Sequence, residues 1–265
     1  MASTHSVEHS RGIQFLNLKI ALALITGVLM LINIYFIFMI APTDAVLGHV
    51  QRVFYFHVPI AIMSFLAFFL VFIASLMYLF KRSTRWDSFA HASAEVGVIF
   101  VTLALITGII WARPVWNTWW TWEPRLTTTL ILWLIYVAYL MVRSYAPTRS
   151  KGAIYAAVVG IIGFVDVPIV YYSVVWWRSI HPSPVVGPFA QSDALDGTMA
   201  LILLYSLVTF VFFFAYIVME RMELKTSEES LGRIRFALRK RGCLLYTSDA
   251  ADDTPCVDLG GRRII

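Results

Sequence analysis

The amino-acid sequence predicts an all-α polytopic membrane protein with six transmembrane helices, and two observations carry that prediction. Hydrophobic residues make up 59% of the 265 residues and charged residues only 14%, against roughly 45–50% and 25% in soluble domains. Six apolar runs also have the roughly 17–25 residues that a helix needs to cross the hydrocarbon. The composition excludes a disordered chain and a protein that wraps nucleic acid, despite the net charge of +5.

The apolar runs divide the chain into a membrane domain, residues 18–219, and two flanks. Residues 1–17 form an N-terminal flank, and residues 220–242 form a charged, helix-capable extension. The first run is too long to be a cleaved signal peptide, so it is interpreted as a retained span. The spans are predicted at 18–40, 58–80, 92–112, 126–142, 153–175 and 198–219.

Lysine and arginine orient the six spans. Seventeen of these residues lie on the side that both termini share, and four lie on the opposite side. Because cytoplasmic loops are enriched in Lys and Arg, both termini are predicted to be cytoplasmic, with the protein in the bacterial inner membrane. The net positive charge of the chain then reflects its topology and an attraction to anionic lipid.

Tryptophan is concentrated on the predicted outer face. Seven of nine lie there: Trp111, Trp116, Trp119, Trp120, Trp122, Trp176 and Trp177. Pro114 suits the first turn of a short helix, and Pro124 can open span four. If the stretch between them is helical, Trp116, Trp119 and Trp120 share one face and form an aromatic shelf. The alternative is an interfacial anchor, since Trp favours that depth.

Two histidines flank the tryptophan segment on the same face. His57 lies at the mouth of span two, and His181 lies just past span five. Their imidazoles could supply two axial bonds to a haem iron, with arginines pairing with the propionates. Zinc would also accept two histidines, but it needs a third or fourth ligand, which His49 could supply, and it has no use for the tryptophans.

These motifs together resemble the CcmC family, the haem-handling proteins C of the cytochrome c maturation system. The resemblance covers about residues 15–220 and rests on the tryptophan segment 111–127, His57 before Val58-Pro59, and the run 172–177 leading to His181. Two positions depart from the family pattern. Glu123 stands where the family usually has Asp, so its carboxylate reaches one methylene further, and Asn117 stands where the family has Gly. From the residues alone, Glu123 could pair with Arg125 or cap the start of span four.

The resemblance implies a haem-transfer component of cytochrome c biogenesis rather than an enzyme. It implies haem b held at the outer face with His57 and His181 as axial ligands, then loaded onto the chaperone CcmE. CcmD and the ABC-type CcmA–CcmB transporter are the other implied partners. The further haem contacts are Trp111, Trp116, Trp119, Trp120, Trp122, Glu123, Arg125 and Arg178, and the propionate candidates also include Arg52 and Arg113.

Three other functions fit the sequence less well. A membrane oxidoreductase with b haem would place histidines within helices, and none lies mid-span. A transmembrane haem exporter needs a polar path, for which Asp166 in span five is the main candidate; Glu95, near the inner end of span three, is interpreted as structural. A scaffold with a tryptophan anchor would bind no haem.

The last segment, residues 243–265, changes character abruptly and contains both cysteines, Cys243 and Cys256. It resembles translated sequencing-adapter read-through. The hypothesis is that this tail is not native and that a protein truncated after residue 242 still binds haem.

Overall fold

The computed structural model describes residues 2–177, 179–188, 190 and 195–246. The chain forms two compact units, Met1–Met222 and Glu223–Ile265, and the first unit contains the site described below. Residues 247–265 of the predicted non-native tail lie outside the described residues, so that hypothesis stays a prediction.

Seven α-helices make up most of the described chain. A π-helical turn, Phe36–Ile40, continues the first helix, and a 3-10 turn, His49–Val53, leads into the second. The helices are α1 (Ala2–Tyr35), α2 (Phe54–Lys81), α3 (Thr84–Trp116), α4 (Pro124–Tyr145), α5 (Arg149–Phe164), α6 (Asp166–Trp176) and α7 (Gly197–Tyr246).

Six helical segments are long and apolar enough to cross a membrane, so the chain is a multi-pass membrane protein. Each segment encloses one predicted span, which confirms the number and the position of the spans. Which end faces the cytoplasm stays a prediction. The segments are Leu16–Ile40, His49–Lys81, Thr84–Trp116, Pro124–Tyr145, Arg149–Trp176 and Gly197–Leu238.

Span five consists of two helices, α5 and α6, because the helix is interrupted at Val165. Pro168 has no N–H to donate to the carbonyl four residues earlier, and its ring crowds that carbonyl. Just before the proline, the Val165 N–H donates to the Ile162 carbonyl at 3.1 Å, which is three residues earlier and not the four of an α-helix. Asp166 therefore begins a new helix, and one of its carboxylate oxygens is buried without a hydrogen-bond partner among the described residues.

The core between α2, α4 and α5 depends on close approach of the helices. Phe68 and Tyr136 stack with ring centroids 3.7 Å apart, and the Tyr136 hydroxyl donates to the Gly160 carbonyl at 3.2 Å. A Cβ at Gly160 would lie 3.0 Å from Val71 Cγ1. Small residues on α5 thus let three helix backbones pack together, as is common in membrane bundles.

Ion pairs join the helices at the end of the bundle that carries the start of α3. Asp87 pairs with Arg143 of α4 through two contacts of 2.5 and 2.6 Å. Glu95 pairs with Arg221 of α7 at 2.5 Å and with His91 at 3.2 Å. These ion pairs agree with the structural role predicted for Glu95. The other end of the bundle carries residues 41–53, residues 117–123 and the described residues between α6 and α7, and it is called the histidine end below.

Candidate functional site

Two adjoining cavities lie at the histidine end of the bundle. Six residues line both of them: His57, Ala61, Phe65, Trp111, Arg125 and His181. Together with the solvent at their mouths, the cavities enclose about 630 and 950 Å³. The first is lined towards the bundle by mainly small or apolar side chains, including Ala61, Ser64, Phe65, Ala104, Leu105 and Ile109. A largely apolar ligand that carries polar groups would suit this lining.

The His57 ring is held by α3. Its Nδ1 lies 2.9 Å from the Thr107 hydroxyl oxygen, and that hydroxyl is 2.7 Å from the Leu103 carbonyl and 3.2 Å from the Ala104 carbonyl. Carbonyl oxygens only accept, so we assign the Thr107 proton to its own helix and Nδ1 of His57 as the donor to the Thr107 oxygen. Nδ1 therefore carries the ring proton, and Nε2 keeps a free lone pair.

A glycine lets the His57 ring approach α3 closely. A Cβ at Gly108 would lie 3.3 Å from His57 Cε1, closer than side chains normally pack. Gly108 also lines the first cavity. Thr107 and Gly108 thus fix the tautomer and the distance of this ring from the helix behind it.

His181 lies in the loop after α6 and has the same tautomer for a different reason. Its Nδ1 is 3.0 Å from the Pro182 carbonyl, which only accepts, so Nδ1 donates and Nε2 is free. Burial lowers the pKa of His181 to about 4, helped by the nearby positive charge of Arg125 and opposed by the Pro182 hydrogen bond. The ring is therefore neutral at pH 7, which is the form that binds metals.

Glu123 links the tryptophan segment to the His181 loop. One carboxylate oxygen accepts the Leu126 N–H at 2.8 Å and caps α4, which confirms one of the two roles predicted for it. The other oxygen accepts from the Ser179 hydroxyl. The same hydroxyl accepts the His181 backbone N–H at 3.1 Å. A hydrogen-bonded chain thus runs from the start of α4 to the backbone of His181.

The predicted helical shelf of tryptophans is not formed. Helix α3 continues through Pro114 and ends at Trp116, and residues 117–123 contain no helix. A proline near a helix C-terminus removes only one of the last hydrogen bonds, so the helix tolerates it here. Asn117 ends the helix in the left-handed conformation with φ 55°, a conformation that Gly and Asn adopt readily. This accounts for Asn117 at a position where the resembled family has Gly.

The tryptophans divide into two groups. Trp111, Trp116 and Trp120 line the first cavity, whereas Trp119 and Trp122 are 58% and 76% exposed. The Trp116 ring centroid is 6.4 Å from that of His181, and the Trp111 centroid is 6.0 Å from that of His57. The indole N–H groups of Trp111 and Trp120 are buried without a partner among the described residues. Buried donors of this kind are usually satisfied by water or a ligand.

The candidate arginines are separated in a similar way. Arg125 lines both cavities and donates to the Tyr171 carbonyl at 3.4 Å. Arg113 donates to the Asn117 backbone and side-chain oxygens at 2.6 Å and stacks over Trp119 at 5.7 Å. Arg52 lies over Phe38 at 5.8 Å. Neither Arg52 nor Arg113 lines these cavities, and Arg178 lies outside the described residues.

Nothing in the described part of the chain forms a group of three or more His, Cys, Asp or Glu that could hold a metal ion. His49, the possible third zinc ligand, begins the 3-10 turn and does not line either cavity. The donor set of the cavities is therefore two imidazoles beside aromatic rings and one arginine. That set suits an iron whose other ligands come from a planar macrocycle.

The fold and the site together define a multi-pass membrane protein with a two-histidine cavity at one end of its helix bundle. Residues 8–236 match the family described as Heme exporter protein C, and the chain belongs to that family. A Heme exporter protein C from Bradyrhizobium diazoefficiens is 35% identical over 193 residues, 73% of each chain. Proteins of the same name from Haemophilus influenzae and Escherichia coli strain K12 are 33% and 32% identical, over 76% and 69% of this chain and 82% and 73% of theirs.

Proposed function

We propose that this protein binds haem b in the cavities at the histidine end and presents it to a haem chaperone of the CcmE kind during cytochrome c maturation. In this proposal the iron lies between Nε2 of His57 and Nε2 of His181. Haem is cargo to be handed on, so the protein is a transfer component and not an enzyme.

One observation carries the proposal: both histidines border the same cavities with Nδ1 already engaged. Metal-binding histidines typically donate their second N–H to a hydroxyl, carbonyl or carboxylate, which fixes the ring and raises ligand basicity. Thr107 and Pro182 do this for His57 and His181. Family membership and the relatives' printed name, Heme exporter protein C, support haem as the ligand.

The remaining lining suits a porphyrin. Trp111, Trp116 and Trp120 offer flat apolar rings, and the unpartnered indole N–H groups of Trp111 and Trp120 can donate to an anionic group. Arg125 is the propionate partner that the geometry favours, because it borders both cavities. In this proposal Trp119 and Trp122 do not hold the porphyrin, and their exposed rings form the surface that meets the chaperone or the lipid interface.

The lysine and arginine distribution supports an orientation with the histidine end outside the bacterial inner membrane. There the haem would be accessible to a membrane-anchored chaperone. The small protein CcmD and the CcmA–CcmB transporter are proposed as the assembly partners.

The test is an absorption spectrum of the detergent-purified protein. The wild type should carry the bands of six-coordinate haem, and the variant with both His57→Ala and His181→Ala should lose them. The matched control is His91→Ala, which removes a histidine that pairs with Glu95 near the start of α3. Full retention of the bands in the double variant would refute the axial assignment.

The printed name of the relatives also suggests passage of haem across the membrane. The described feature that bears on passage is Asp166, with one buried, unpartnered carboxylate oxygen at the interruption of span five. Asp166 does not line the two cavities. Asp166→Asn should therefore leave haem binding unchanged. If Asp166 serves the passage of haem, the same change should lower the rate at which vesicles holding the protein release enclosed haem.

A further inference from the structure

The hydrogen-bonded chain through Ser179 has a role beyond capping α4. We propose that Glu123 and Ser179 form a clasp that holds His181 in position, which makes His181 the ligand whose release frees the haem. The inference rests on the proposed haem-binding function. It makes Ser179 a positioning residue, since Ser179 contacts the backbone of His181 and does not line either cavity.

The first step of the argument is the connectivity of the clasp. Ser179 donates to Glu123, which is 9% exposed and anchored at the start of α4 by the Leu126 N–H. Ser179 also accepts from the His181 N–H. A hydroxyl can donate one bond and accept another at the same time, so this one side chain joins the loop that carries His181 to a rigid helix terminus.

The second step concerns what else holds the loop. The Tyr171 hydroxyl donates to the Val186 carbonyl at 3.0 Å, five residues beyond His181. That tie would remain if Ser179 were replaced, so the loop would stay attached at its far end. The His181 ring itself bonds only to the adjacent Pro182 carbonyl among the hydrogen bonds described for it, which moves with the loop. The clasp is therefore the described link that fixes this end of the loop relative to α4.

The third step is the chemistry of release. For haem to leave, the bond between the iron and Nε2 of at least one histidine must break, and both electrons of the lone pair stay on the imidazole. Opening the clasp lets the loop carry His181 away without disturbing the helices. A chaperone that competes for Glu123 or Ser179 would favour that open state.

The experiment measures haem release from the full-length, detergent-purified protein to an excess of haem-free globin. Ser179→Ala should speed release roughly tenfold or more, because loss of a group that orients a metal ligand typically weakens binding by that factor. It should also shift the spectrum from six-coordinate towards five-coordinate haem. Ser179→Thr keeps the hydroxyl and should restore both readouts.

Two further variants separate the clasp from general damage. Glu123→Gln keeps an oxygen for the Leu126 N–H but replaces the charged acceptor of Ser179 with an NH2 donor, which weakens the link. Combining it with Ser179→Ala should give no additional acceleration, since both changes act on the same link. Ser206→Ala is the matched control, because Ser206 makes a buried hydrogen bond with Asn33 of α1 at 2.8 Å and does not line the cavities. It should release haem at the wild-type rate.

The outcomes distinguish the clasp from the proposed function. A wild-type protein that took up no haem would overturn both. A wild-type protein that bound haem and a Ser179→Ala variant that released it at the same rate would overturn the clasp alone. Equal acceleration by Ser206→Ala, or no rescue by Ser179→Thr, would also overturn it.

Discussion

His57 lies in the first turn of a 28-residue helix, whereas His181 lies in a loop between two helices. The His57 ring bonds across to Thr107 of α3, so moving it means moving α2 against α3. Those helices fit tightly: a Cβ at Gly97 would lie 2.7 Å from the Phe68 ring. The His181 ring bonds to its own neighbour, Pro182, and its position depends on a few hydrogen bonds at the loop ends.

This difference suggests a division of labour between the two ligands. Packed helix pairs open only at high free energy, whereas loops open locally at low free energy. One ligand of each kind would let a protein both hold haem and give it up. We infer that His57 is the fixed ligand and that His181 is the one that moves.

The largest effect should come from removing the ligands one at a time. His57→Ala should reduce haem affinity at least a hundredfold, beyond the 10- to 100-fold typical of a lost second-shell partner. His181→Ala should reduce it less, because the fixed ligand remains. The measurement is the ratio of haem to protein after purification at increasing detergent dilution. If His181→Ala lost more haem than His57→Ala, the ranking of the two ligands would be wrong.

The second effect is a pH dependence that belongs to the loop histidine. Burial and Arg125 lower the pKa of His181 to about 4, so its ring is neutral and able to bind iron from pH 7 down to about 5. Below about pH 4 a proton competes with iron for Nε2, and each further pH unit lowers the affinity of this nitrogen for iron about tenfold.

An NMR titration of the haem-free protein, assigned with His181→Ala, should show this midpoint. Arg125→Gln should raise the midpoint, since it removes a positive charge that disfavours the imidazolium, while the larger contribution of burial remains. A midpoint near the ordinary 6.5 in the wild type would contradict burial as the main cause of the lowered pKa.

The third effect tests how the helix holds His57. Thr107→Val removes the hydroxyl that accepts from Nδ1 and keeps a side chain of similar shape, so haem affinity should fall about tenfold. Thr102→Val is a closely matched control: Thr102 is on the same helix, donates to the Val98 carbonyl at 2.7 Å, and accepts from the Trp133 ring N–H at 2.9 Å. Trp133 does not line the cavities. Equal losses in the two variants would mean that Thr107 acts through stability and not through the ligand.

The sequence predicts the membrane architecture well, because hydropathy over about 20 residues reports directly on a span. Pro168 also indicates the interruption of span five. The sequence does not predict the path of the tryptophan segment: Pro114 is compatible with a helix start or with the last turn of a helix, and packing selects the second. The left-handed residue Asn117 then directs Trp119 away from the cavity that Trp116 and Trp120 line.

The residues that support the two histidines have little sequence signal. Thr102, Thr107 and Thr128 all donate to a carbonyl four residues earlier on their own helix, and only tertiary contact distinguishes the one beside His57. Ser179 lies in a loop without periodicity, and its link to Glu123 joins residues 56 positions apart. Contacts of that separation depend on how the helices pack, which a single sequence does not encode in any local pattern.

The smallest expected effect also separates the two ligands, because it moves the His57 ring without removing any bond. Gly108→Ala would place a Cβ 3.3 Å from His57 Cε1, so the ring must shift by a few tenths of an ångström. Haem affinity should fall a few-fold, less than the roughly tenfold of a lost second-shell bond, while the His181 midpoint stays the same. Gly27→Ala is the control, since nothing lies within 4 Å of its Cβ position in α1. Both substitutions favour the helix by about 1 kcal/mol, so a difference between them in haem affinity reports on the ring and not on helix stability. Identical affinities in the two variants would mean that a shift of the His57 ring does not affect haem binding. The fixed position assigned to His57 would then be wrong.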